Sequence, residues 1–240
     1  MAEVPAGFWK RYAAWTLDAA ILALPVWLLS AGRMRAQLRL LQEATASLFD
    51  TVAQRMVDAL VRGGEPLALA YRLAGDAGVR EALHVVALCV FALLIVPAAW
   101  FALLAAAYWI GFEASPWQAT PGKRALGLRT TGFEGEKLHG SLTVARHFAG
   151  TLSWLTLNIG HAMAARAPQK RALHDLIAGA QVTAQDDDPM PPAAKLWLAL
   201  QAIAGLLGFG WLYFVLLGMM QASVDRALSM TLSLGAAIPG

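Results

Sequence analysis

From Ala82 to Phe112 the chain carries no Asp, Glu, Lys or Arg. A bilayer core roughly 30 Å thick is crossed by about 20 apolar residues in a helix. This stretch therefore predicts a spanning helix with length to spare, which a tilt absorbs. Pro97, near its middle, removes one backbone hydrogen bond and predicts a kink. Trp100, Tyr108 and Trp109 suit packing or the interfacial belt. One spanning helix constrains everything else, because lipid offers no water to satisfy open backbone groups.

Two further stretches have the same character. Ala13–Ser30 is apolar apart from Asp18, with Phe8-Trp9-Lys10-Arg11 at its mouth. Arg11 and Asp18 are seven residues apart and share a helix face. An aspartate inside a span costs at least ~2.5 kcal/mol on insertion scales, so Asp18 should face protein or water. Read as a signal peptide, this run is too long and is interrupted by Asp18; a retained anchor is the stronger reading. Lys195–Gln221 predicts a last span, whose Gly205, Gly208, Gly210 and Gly218 permit close helix approach. Composition agrees: 58% of residues are apolar and 15% charged, against about 25% charged in a typical soluble domain.

Between the first two spans, Arg33–Arg62 repeats apolar residues at three- and four-residue steps, the pattern of an amphipathic helix. Gly63-Gly64 ends it, and Pro66 opens a short second helix that breaks at Gly75–Gly78. The pair predicts an inserted helical hairpin over residues 31–80, a cap on the bundle or a partner-binding surface. Ser115–Arg124 predicts a tight turn with a basic end; it lacks the spacing of a phosphate-binding loop. Leu126–Thr131 and Glu136–Gly140 predict a small β-hairpin, and Ala180–Ala184 a third strand that would make a sheet with it. Residues 185–193 form a Pro/Asp linker, 194–222 the additional helix, and Ala222–Gly240 a weakly structured tail.

Ser141–Ala165 is ambiguous. It is long enough to span, yet Arg146, His147, Asn158 and His161 interrupt it. Its flanking cations, Lys123, Arg124, Arg129 and Lys137 before and Arg166, Lys170 and Arg171 after, belong on one side by the positive-inside rule. A re-entrant or interfacial helix and a full span both stay open. The same rule places the N-terminus in the cytoplasm. The fold class is thus an all-α membrane protein with three or four transmembrane helices, an amphipathic extramembrane hairpin and a small β-hairpin or sheet at the cytoplasmic side.

Several function classes lose support. A net charge of +3 is too small and dispersed for nucleic acid. The one cysteine, Cys89, excludes an internal disulfide, and the five histidines show no metal-ligand spacing. No nucleophile–base pair, cofactor motif or metal cluster points to an enzyme. The implied partner is the lipid bilayer, with a second copy or another membrane protein as a further expectation.

The residues that remain are similar in order and surroundings to those of the RDD family of integral membrane proteins, named for an arginine and two aspartates. The matching positions are Phe8-Trp9-Lys10-Arg11 with Asp18, Thr120-Pro121-Gly122-Lys123-Arg124-Ala125-Leu126-Gly127-Leu128, Arg146, and Leu173-His174-Asp175-Leu176-Ile177-Ala178-Gly179. The resemblance covers about residues 5–184 and implies that Arg11, Asp18 and Asp175 are the named residues. It also implies a bacterial inner-membrane location and, as proposed for some members, transport such as sodium/proton exchange. The expected site is a polar cluster of Arg11, Asp18, Lys123, Arg146, His174 and Asp175. It would be either a proton- or cation-handling centre or a buried set of pairs that fixes the bundle. Arg146 and His147 are expected to snorkel to headgroups. A scaffold or assembly subunit is the alternative to transport.

Overall fold

The computed structural model describes residues 4–63, 65–166, 169–184 and 189–236. Three helices dominate: α1 (Phe8–Val61), α3 (Ala77–Ala114) and α8 (Pro192–Ala236). Among the described residues these are the helices long and apolar enough to cross a membrane. Between them lie α2 (Pro66–Gly75), α4 (Pro121–Ala125), α5 (Gly140–Leu155), α6 (Ile159–Ala162) and α7 (Leu173–Ile177), with strands β1 (Val4–Pro5), β2 (Leu128–Gly132) and β3 (Ala180–Ala184). The chain divides into two units, Met1–Leu28 with Ala99–Ile203, and Leu29–Ala98 with Ala204–Gly240.

Three sequence expectations change. The first span and the amphipathic stretch after it are one continuous helix of 54 residues, α1, which runs unbroken through Pro25. Helix α8 continues to Ala236, so the expected tail is helical to that point; residues 237–240, and 185–188 of the expected linker, lie outside the described residues. The sheet has the order β1-β3-β2, all antiparallel. Its third strand is Val4–Pro5 rather than Glu136–Gly140, which contributes a single bridge, Thr131 to Lys137. β3 is therefore central, and Pro5, which has no N–H to give, sits on an edge strand. Segment 136–140 instead turns into α5, with Leu138 buried against Ala178 and Ala180.

Ser141–Ala165, open between a full span and a re-entrant or interfacial helix, folds as a helix followed by a return. α5 has 16 residues, about 24 Å of helix, and is followed by Leu157 and Asn158, both with positive φ (51° and 64°). The chain then doubles back through α6 and a 3-10 turn, Met163–Ala165, to α7, which packs on α5.

In the first unit, small residues bring the sheet against α1. Ala6, Ala13, Ala14, Leu126, Leu128, Val182, Ala184 and Ala194 form one buried cluster. Trp197 and Gln201 of α8 both donate to the Thr16 hydroxyl, at 3.0 and 3.2 Å. In the second unit, Ala53 and Val57 of α1 pack with Ala227 of α8. There Asp76 accepts from the Val79 N–H at 3.0 Å and so caps the start of α3.

Candidate functional site: a buried ladder of charges

The turn after α3 builds the first half of the site. Thr120 caps α4: its hydroxyl oxygen accepts from the Lys123 N–H, and Pro121 fills the first helical position. The same hydroxyl donates to Asp18 Oδ2 at 2.5 Å. Asp18 Oδ1 accepts from the Gly122 N–H at 2.7 Å and from the Tyr108 hydroxyl at 2.8 Å. Gly122 is required for this approach, because a Cβ there would collide with the Ala14 carbonyl and stand 2.8 Å from Asp18 Oδ1. Asp18 is fully buried, and every donor it meets is neutral.

The second half is ionic. Lys123 Nζ donates to Glu113 Oε1 at 2.5 Å and to the Thr130 hydroxyl at 2.7 Å. Glu113 Oε2 accepts from Arg146 at 2.6 Å. Arg146 turns its other edge to Asp175 Oδ1, donating at 3.0 and 2.8 Å. Asp175 Oδ2 accepts from Arg11 at 2.5 Å and from the Ala172 N–H at 3.0 Å, closing the first turn of α7. Arg11 completes the chain by donating to the Lys170 carbonyl at 2.9 Å. The order is Arg11, Asp175, Arg146, Glu113, Lys123, with charges alternating along five residues drawn from α1, α7, α5, α3 and α4.

Burial sets the electrostatics. Asp175 is completely buried; burial alone would raise its pKa, but Arg146 and Arg11 hold it well below the usual carboxylate range. Burial lowers the pKa of Lys123, opposed by Glu113. His174, buried beside Arg146, is pushed down to about 4 and is neutral at pH 7. Its Nε2 lies 3.1 Å from an Arg146 nitrogen and 3.2 Å from Asp175 Oδ1. Its ring stacks obliquely with that of His161, the centroids 5.0 Å apart.

The sequence-expected residues thus fall into two sets. Arg11, Lys123, Arg146, His174 and Asp175 join one network. Asp18 stands next to it and makes none of the ion pairs, because Arg11, its neighbour on the helix face, reaches to Asp175 instead. Arg146 does not snorkel; it is the doubly paired centre. Glu113 was missed. An acid that closes a long uncharged run, with no cation four residues away, is a signal that its partner lies elsewhere. Tyr108 and Thr130 carry no comparable signal. Among the described residues no group of His, Cys, Asp and Glu could hold a metal ion.

The model of the family described as "RDD family" matches residues 5–179. A Bacillus subtilis (strain 168) protein titled "Uncharacterized protein YxaI" is 24% identical over 180 residues, which cover 75% of this chain and 97% of that protein. No solved structure matches. With the helices, the motif positions and this match together, the chain is an integral membrane protein belonging to the RDD family.

Proposed function

We propose that the chain is a non-catalytic scaffold of the bacterial inner membrane, an assembly subunit for other membrane proteins. One observation carries the reading: all six carboxylate oxygens of Asp18, Glu113 and Asp175 accept from donors inside the chain. A carboxylate that carries ions must exchange its partners, and a satisfied low-dielectric network resists that exchange. The ladder instead ties α4, α5 and α7 to the ends of α1 and α3. Lys10, Arg124, Arg129 and Lys137 outside the ladder support a cytoplasmic N-terminus by the positive-inside rule.

A second reading, proton or cation exchange, is favoured by Asp18 alone. It lies in an apolar helix, and its donors are two hydroxyls and one amide, none of them a fixed cation. Reconstitution separates the readings. Purified protein in liposomes carrying an internal pH-sensitive dye is given a pH gradient, with sodium or potassium outside. The scaffold reading expects dissipation no faster than in protein-free vesicles. A flux that Asp18→Asn abolishes, in protein that elutes and unfolds like wild type, would replace it with the transport reading.

A further inference from the structure

Helix α5 is amphipathic the wrong way round for water. Its buried stripe is Thr143, Arg146, Ala149 and Ser153, while Leu142, Val144, Phe148 and Leu152 are exposed. A surface helix in water turns its apolar residues inward; this one turns inward its guanidinium and hydroxyls. The same holds at its far end. Leu157 is 89% exposed and Ile159 64%. Leu157 also holds a left-handed φ of 51°, a conformation that bulky L residues avoid. The fold therefore keeps a strained backbone in order to present an apolar tip.

The hairpin is closed and too short to cross. Gly160 packs so tightly on Ser153 that any Cβ there would strike its hydroxyl, and the Arg146–Asp175 pair at 2.8 Å ties α5 to α7. Both feet carry cations: Lys137 before α5, and Arg166, Lys170 and Arg171 after the return. Apolar tip, polar protein-facing stripe and basic feet are complementary to one leaflet of a bilayer, with acyl chains around the tip and headgroup phosphates at the feet.

We infer that α5–α6 is a re-entrant insert that dips into the cytoplasmic leaflet and returns, its exposed face covered by lipid acyl chains rather than by water or a partner protein. This is independent of the scaffold and transport readings. The test places spin labels on single cysteines in a Cys89→Ser background, in vesicles, with Leu157→Cys and Phe148→Cys on the insert and Glu134→Cys in the hairpin before it. The insert sites should relax several-fold more with oxygen than with a water-soluble nickel chelate, and the order should reverse at 134. Lys137→Cys and Gln169→Cys should react with an impermeant maleimide from the same side. A nickel excess at both 148 and 157 would overturn the inference in favour of water. Protection from both reagents would overturn it in favour of protein. Opposite sidedness of 137 and 169 would overturn the return of the hairpin.

Discussion

The two units use similar ion pairs to different ends. In the first, Arg146 meets Glu113 and Asp175 at 2.6 and 2.8 Å, with side chains at most 7% exposed. In the second, Arg226 meets Asp50 at 2.6 Å and Arg55 meets Asp76 at 3.0 Å, but the arginines are 50% and 52% exposed. Distance does not separate these pairs; solvent does. An exposed pair trades one well-solvated state for another. A buried pair has already lost its water, so removing one partner strands the other. The first unit is therefore brittle at its charges, whereas the second is held by apolar contacts such as Val57 with Ala227.

The largest effect is expected of Arg146→Met. It leaves Glu113 with one cation and Asp175 with another, and should cost about 3–5 kcal/mol in unfolding followed in mild detergent. A loss no larger than that of an exposed pair would end the distinction. Gly122→Ala comes next. Its Cβ strikes the Ala14 carbonyl and crowds Asp18, so overpacking of about 1–3 kcal/mol is expected in the same measurement, whereas Gly205→Ala, with open space at its Cβ, should be near neutral.

Acidification sharpens the contrast from another side. Folded His174 titrates near 4, against about 6.5 in an unfolded chain. Between those values the unfolded state holds the extra proton, so stability is full above 6.5 and falls as pH drops toward 4, by up to about 1.4 kcal/mol per unit. His174→Gln should flatten that slope in detergent unfolding curves. Asp175 acts lower: its contribution is present above the ordinary aspartate range and is lost only as pH falls below it, because its folded pKa is depressed. The smallest effect belongs to Arg226→Gln, expected at about 0–1 kcal/mol and reduced further by salt. A large loss there would mean that exposure is the wrong variable.

Much of the site can be read from residue types. Asp18 in an apolar run needs shelter and Ser115–Arg124 reads as a tight turn with a basic end, whereas residue type alone sends Arg146 to the headgroups. Which acid answers which cation cannot be read that way. Asp175 lies 164 residues from Arg11 and 29 from Arg146, and Glu113 reaches Arg146 across 33. An ion pair depends on a few ångströms of side-chain reach, and spacing along the chain does not encode it.

Residue order alone calls for three or four membrane-spanning helices, because hydropathy is a sum over consecutive residues and burial in lipid responds to that sum. That Val4–Pro5 completes the sheet, that Glu113 joins Arg146 to Lys123, and that the chain after α5 doubles back to α7 emerge only from the folded arrangement. Each of these depends on edges and faces supplied by distant segments. A strand edge accepts whichever backbone arrives at it, and a buried charge takes whichever partner the fold brings within reach.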